Sequence, residues 1–84
     1  MHTKFKRHQK VILLVDPNPE YVEYSPEVEE ESPDSLPQIK KGMHGEINIL
    51  LPNGQYHVRI LSKKGETLAF APMDEDNLEA VEKN

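Results

Sequence analysis

Residues 40–47 read KKGMHGEI, and no other stretch of this 84-residue chain says as much about its fold. Gly42 and Gly45 stand three positions apart, just before an alternating apolar run. Glycine can hold a positive φ or let another backbone approach closely, and small barrels need bent corners of this kind to close. The stretch therefore predicts a kinked entry into a strand of a small β-rich domain.

A hairpin is predicted directly after this kink. The strand His44–Leu51 alternates so that Ile47, Ile49 and Leu51 would face the core. Pro52-Asn53-Gly54 follows it. The Asn-Gly pair predicts a type I′ turn, which needs positive φ at both central residues.

Two further strands extend the hairpin into a meander. The strand Gln55–Leu61 ends at Ser62-Lys63-Lys64-Gly65, which predicts a second turn with positive φ at its glycine. The third strand is Glu66–Ala71, with Ala69 and Ala71 expected on the face away from the core. The side chains that the alternation assigns to the core are Tyr56, Val58, Ile60, Leu68 and Phe70.

Each end of the chain adds one short strand. The strand predicted at Lys10–Val15 consists, after Lys10, of a continuous apolar run, which is typical of a strand covered on both sides. Near the C-terminus, Leu78–Val81 is predicted to close the barrel as an edge strand. A short helix in residues 74–82 is the alternative, because Asp74 can cap it and Leu78 and Val81 are three apart.

The segment between the first strand and the kink has a different composition. Residues 16–38 hold eight acidic residues, no Lys or Arg, and five of the seven prolines. Such a composition does not build a packed core. We therefore expect a flexible basic N-terminus at 1–9, one domain at 10–82 with a mobile acidic loop at 18–38, and a tail at 83–84.

The order of these elements resembles a known class of small barrels. The step from Ile39 to Ile47 is similar to the glycine step of KOW-like and other SH3-like barrels, and the segments 56–60 and 65–70 with Leu78 extend the likeness. The likeness covers residues 10–17 and 39–81. Over these residues the chain looks like the small SH3-like proteins of unknown function from bacteria and archaea. The resemblance implies an all-β, five-stranded SH3-like barrel with a long acidic, Pro-rich first loop, and a binding role.

Composition excludes several kinds of function. The chain has no cysteine, so disulfides and thiolate metal sites are absent. The four histidines (His2, His8, His44 and His57) lack zinc-ligand spacing, and we expect no metal or cofactor. The longest apolar run, Val11–Val15, is too short for a membrane span or a secretory signal, so a cytoplasmic protein is expected.

No catalytic pattern stands out either. The serines lie in loop segments without a His and an acid in register, and there is no phosphate-binding glycine loop. We therefore expect neither an enzyme nor a small-molecule substrate.

Two charged sets are the candidates for binding. Basic side chains and two histidines are predicted to share one face: Lys40, Lys41, His44, His57, Arg59, Lys63 and Lys64. The acidic set, Glu27, Glu29, Glu30 and Glu31, lacks the spacing of a calcium loop. It is expected either to steer a basic partner by long-range attraction or to screen the basic face within the same chain.

A protein partner is the expectation that fits these observations best. The formal net charge of −5 is unfavourable for general binding to nucleic acid, which rests on phosphate neutralisation. An RNA-binding or ribosome-associated module is the alternative, although stacking aromatics are missing from the predicted basic face. A third reading is a structural or regulatory subunit of a larger enzyme.

Overall fold

The computed structural model describes residues 5–31 and 34–81. These residues form six β-strands, one short α-helix and two 3₁₀ turns, the latter at Pro19–Tyr21 and Glu75–Asn77. The strands are β1 (Lys10–Leu13), β2 (Glu23–Tyr24), β3 (His44–Leu50), β4 (Tyr56–Leu61), β5 (Thr67–Met73) and β6 (Leu78–Ala80), and the helix is α1 (Pro26–Glu31).

All the strands in the described residues belong to one antiparallel sheet, in the order β2-β5-β4-β3-β1-β6. The meander of β3, β4 and β5 is present, and β1 lies between β3 and β6. A mostly β domain is therefore confirmed. The prediction of five strands is wrong, because Glu23 and Tyr24 pair with Phe70 and Ala69 and add β2 at one edge.

One apolar cluster, drawn from β1, β3, β4, β5 and β6, forms the core. Phe5 closes one end of it: its ring meets Tyr56 edge-on at 5.4 Å, and its backbone N–H donates to the Tyr56 hydroxyl at 3.3 Å. Phe5 is thus buried, although it belongs to the segment predicted to be a flexible N-terminus. The flexibility of that segment stays a prediction, and residues 1–4 lie outside the described part of the chain.

The two glycines of the kink do different things. Gly42 has φ +90°, and its N–H donates to the Leu13 carbonyl at 2.7 Å. Gly45 lies in β3 where a Cβ would stand 2.7 Å from Val58 Cγ1 and 3.2 Å from the Arg59 carbonyl oxygen. The kinked entry is confirmed. Gly42 turns the chain just before β3, beside the end of β1, and Gly45 lets β3 and β4 pack closely.

A β-bulge changes the predicted pattern of β3. Ile47 pairs with Val58, but Ile49 pairs with His57, so β3 advances two residues where β4 advances one. The extra residue reverses the alternation. Ile49, predicted to face the core, is consequently 45% exposed.

The predicted faces of β5 are also wrong. Ala69 and Ala71 are buried, and they pair with Ile60 and Val58 of β4. Phe70 lies on the opposite face and is half-buried, and Leu68 packs only partly against the core. The branched side chains of β4 already occupy the interior at these positions, so small residues on β5 fill the remaining space without overpacking.

Both hairpin turns are present, but the first is not type I′. Gly54 N–H donates to Leu51 O at 3.0 Å, and Gly65 N–H donates to Ser62 O at 2.9 Å. Gly54 has φ +91°, whereas Asn53 does not have a positive φ. The bond from Gly54 to Leu51 makes Pro52 and Asn53 the central residues, in place of the predicted Asn53 and Gly54. The Pro52 ring holds φ near −65°, so this turn cannot be type I′, which needs a positive φ at both central residues.

The acidic segment 18–38 contains local structure in its described residues. The 3₁₀ turn at Pro19–Tyr21, strand β2 and helix α1 all lie in it. Ser25 N–H donates to Leu68 O at 2.9 Å, and the Tyr24 hydroxyl donates to Pro37 O at 2.8 Å. These bonds attach parts of the segment to the sheet. Its mobility stays a prediction, and residues 32 and 33 lie outside the described part.

At the C-terminus the strand prediction is confirmed over the helix alternative. Leu78 pairs with Leu13 and Ala80 with Val11, after the 3₁₀ turn that ends at Asn77. The predicted tail at 83–84 lies outside the described residues.

Candidate functional site

The predicted basic face divides into two groups. Lys40 and Lys41 lie in the turn before β3, His44 opens β3, and Lys63 and Lys64 lie in the β4–β5 turn; all five are exposed. His57 and Arg59 do share the outward face of β4, as expected, and both are half-buried. The structure therefore brings the lysines and His44 to one end of the sheet and leaves His57 and Arg59 on a separate surface.

An open groove of about 610 Å³ lies among the first group, and we call it the apolar groove. Its apolar lining consists of Pro37, Met43, Leu61 and Leu68, and its polar rim includes Lys40, His44 and Lys63. The irregularity between Ile60 and Leu61 sets the position of Leu61, since the register with β5 shifts there. The groove thus combines an apolar floor with a cationic rim.

Lys41 and Lys64 do not line this groove. The backbone N–H of Lys41 donates to Asp16 Oδ1 at 2.8 Å, which ties the turn before β3 to the chain that follows β1. Lys64 lies one residue beyond Lys63 in the same turn. Sequence reasoning missed the apolar members Met43, Leu61 and Leu68, because no local pattern tells which apolar side chains of β4, β5 and the turn before β3 meet.

A second cavity, of about 400 Å³, lies between α1 and the β4–β5 turn. Glu27 and Glu31 line it together with Lys63 and Lys64, whereas Glu29 and Glu30 do not. Among the described residues, no ion pair within 4.0 Å joins these acidic and basic side chains. The acidic and basic side chains needed for the predicted screening within the chain therefore lie near each other, but in the described residues they form no direct ion pair.

Arg59 is already paired on the outward face. One Arg59 guanidinium nitrogen (Nη2) lies 2.7 Å from Glu46 Oε1, and Lys10 Nζ lies 2.7 Å from Glu46 Oε2. His8 Nδ1 is 3.5 Å from the same carboxylate. Glu46 thus joins three strands, because Lys10, Glu46 and Arg59 face one another across β1, β3 and β4. The Glu46 carboxylate therefore offsets part of the Arg59 charge that would otherwise attract a phosphate.

The Glu46 carboxylate should contribute stability that depends on pH. The hydrogen bond from Lys10, with a smaller contribution from the Arg59 charge, holds the pKa of Glu46 below its usual value of 4.5 despite partial burial. The stabilisation is therefore complete above the unfolded-state pKa and is lost as the pH falls through the lowered folded-state pKa.

We expect Glu46→Gln to lower the free energy of unfolding by about 1–2 kcal/mol at pH 7, because it removes the charge that pairs with Lys10 and Arg59. The loss stays this small because the Lys10 and Arg59 side chains are two-fifths exposed, so solvent weakens both ion pairs. Urea unfolding at pH 7 and pH 3 measures the free energy of unfolding of the variant and of the wild type. The difference between the two proteins should be smaller at pH 3 than at pH 7. Glu79→Gln on exposed β6 is the matched control. An equal difference at both pH values would contradict the prediction.

The remaining outward surface is aromatic. The rings of His57 and Phe70 stack in parallel with their centroids 5.2 Å apart, and Asn48 Nδ2 lies 2.9 Å from His57 Nδ1. Tyr21, on the first 3₁₀ turn, lines a small cavity together with His57 and Phe70. Sequence reasoning placed Phe70 in the core and so counted no stacking aromatic beside His57. The small size of Ala69 and Ala71 was the available signal that the faces were reversed.

The described residues contain no group of three or more His, Asp or Glu side chains placed to hold a metal ion. No helix within residues 5–31 and 34–81 has the length and apolar character needed to cross a membrane. No protein-family model, no curated protein and no solved structure matches this chain.

Proposed function

We propose that this chain is an SH3-like barrel that acts as a non-catalytic binding module for another protein. The strand order supports the fold: β1 lies between the start of the meander and the terminal strand β6. The sixth strand, β2, pairs only with β5 at one edge, and we interpret it as an addition to the barrel from the long first loop.

The apolar groove is the observation that carries the binding proposal. Its four apolar side chains offer area whose burial favours association. Lys40 and Lys63 on the rim can orient a ligand by charge, and His44 can do so by hydrogen bonding. A few polar groups around a mostly apolar surface are typical of binding sites. The partner chemistry that fits is an extended peptide with an apolar side chain next to carboxylates.

RNA fits these surfaces less well. The groove lining contains no Phe, Tyr or Trp on which a base would stack. Arg59, a member of the predicted basic face, is paired with Glu46. Lys63 and Lys64 line a cavity together with Glu27 and Glu31. A protein partner is therefore our proposal, and RNA binding is an outcome that the experiment can reveal.

An NMR titration with a capped hexapeptide carrying two leucines flanked by aspartates tests the proposal. We expect amide shifts at Met43, Leu61 and Leu68. Lys63→Glu should weaken binding about five- to tenfold, because it replaces a favourable rim charge by one that repels the aspartates. Lys64→Glu is the matched control, because this neighbour in the same turn does not line the groove, and its effect should stay within about twofold.

Two outcomes would contradict the proposal. One is an absence of shifts in the groove at millimolar peptide. The other is that single-stranded RNA at low salt shifts Lys41, His57 and Lys64 while the peptide has no effect, which would favour the RNA-binding alternative.

A further inference from the structure

A small cavity of about 270 Å³ opens on the outward face of the sheet, away from the apolar groove. We call it the aromatic notch, and its rings are Tyr21, His57 and Phe70. Tyr21 is 60% exposed, so one wall is directly accessible from solvent. The notch is smaller than typical small-molecule pockets, and its size suits one side chain of a partner.

The backbone that carries the walls of the notch is held in place without any ligand. Asn18 Oδ1 accepts from Glu20 N–H at 3.0 Å and Asn18 O accepts from Tyr21 N–H at 3.0 Å, which fixes the 3₁₀ turn that carries Tyr21. Glu23 pairs with Phe70 across β2 and β5. A preformed site loses little conformational freedom when a ligand binds.

The charge around the notch is negative. Glu20 and Glu23 line it, and no Lys or Arg of the described residues does. Arg59 is the cross-strand neighbour of Phe70, but its guanidinium lies against Glu46. The aromatic faces and the two carboxylates both attract a cation and would repel a phosphate.

We propose that the aromatic notch binds the guanidinium group of an arginine side chain on a partner protein. A guanidinium is planar and weakly hydrated, so it can stack on an aromatic ring while it donates hydrogen bonds to carboxylates. Tyr21 and Phe70 supply ring faces, and Glu20 and Glu23 supply acceptors. The site is distinct from the apolar groove and does not depend on the function proposed for it.

Two capped tripeptides, Gly-Arg-Gly and the same sequence with citrulline in place of arginine, provide the test. Citrulline keeps the shape of the side chain and removes its charge. In an NMR titration at pH 7 we expect the arginine peptide to shift Tyr21, His57 and Phe70, with a dissociation constant on the order of millimolar for so small a ligand. The citrulline peptide should bind at least about fivefold more weakly.

Variants separate the notch from general attraction to an acidic protein. Glu23→Gln and Phe70→Leu should each weaken binding of the arginine peptide about three- to fivefold. Glu27→Gln is the matched control, since Glu27 belongs to the same acidic segment but does not line the notch. A one-dimensional spectrum of each variant verifies that it is folded.

The proposal is overturned if arginine and citrulline peptides give equal shifts, if neither shifts the notch, or if Glu27→Gln weakens binding as much as Glu23→Gln. The aspartate–leucine peptide used for the groove gives an independent readout. Shifts at Met43 and Leu68 with that peptide report on the groove alone, so failure of one site is distinguishable from failure of the other.

Discussion

Gly45→Ala is expected to lower the free energy of unfolding by about 2–3 kcal/mol, because the added methyl overpacks the joint between β3 and β4. The added Cβ would lie 2.7 Å from Val58 Cγ1 and 3.2 Å from the Arg59 carbonyl oxygen. Val58 is a stiff, fully buried side chain and the carbonyl is backbone, so neither can move aside easily. Urea unfolding followed by circular dichroism measures the loss.

A double-mutant cycle identifies the cause. Val58→Ala removes the methyl that Gly45→Ala would strike, so the double variant should lose less stability than the two single losses added together. Gly42→Ala is the matched control: nothing lies within 4 Å of its added carbon, and only the φ of +90° opposes it. Additive losses in the Gly45 and Val58 cycle would show that the collision is not the cause.

Ala69→Asp is expected to unfold the domain at pH 7. Ala69 is 0% exposed and faces Ile60 across the sheet, so a carboxylate there would be buried without a partner. Such a charge costs roughly 3–5 kcal/mol or more, and the larger side chain adds about 1–3 kcal/mol of overpacking. The sum of about 4–8 kcal/mol covers the lower half of the stability expected of a domain of this size, about 4–12 kcal/mol. Loss of dispersed amide resonances, together with recovery at a pH low enough to protonate the new carboxylate, would establish the effect.

Phe70→Ala provides the contrast on the opposite face. Phe70 is half-buried against His57, so we expect a loss of about 1–2 kcal/mol and a folded protein. The alternation seen in the sequence alone predicts the reverse ranking, with Phe70 in the core and Ala69 outside. A folded Ala69→Asp variant together with an unfolded Phe70→Ala variant would mean that the faces of β5 are as the sequence predicted.

The two proposed sites use opposite charges on one small domain. The apolar groove has Lys40, His44 and Lys63 on its rim, and the aromatic notch has Glu20 and Glu23. Because the acidic segment contributes to the notch and also places Glu27 and Glu31 beside Lys63, it affects the electrostatics of both. A net charge of −5 therefore conceals surfaces that favour different ligands.

Some of the fold could be predicted because its causes are local. The positive φ of Gly42, the hairpin at Pro52-Asn53-Gly54 and the inward set Tyr56, Val58 and Ile60 depend on neighbours in the chain. Strand β2 could not be predicted in the same way. Its two residues become a strand only because Phe70 and Ala69 lie alongside them, more than forty positions away.

The candidate sites were less predictable than the fold. The sequence indicates which side chains carry charge, but Lys63 and Lys64 are equivalent until the turn places one in the groove and the other outside it. Arg59 and Glu46 likewise have no visible relation in the chain before β3 pairs with β4. Availability for binding therefore depends on contacts that sequence spacing does not report.

The amino-acid sequence by itself determined the β-rich class, the kinked entry at Gly42 and Gly45, the meander and the segregation of charge. Those properties follow from backbone sterics, side-chain alternation and composition. Only the tertiary structure decided that the bulge turns Ile49 outward, that Ala69 and Ala71 rather than Phe70 enter the core, and that the basic residues divide between two surfaces. The physical reason is packing: a strand has two faces, and the volume left by the strands beside it selects which one is buried.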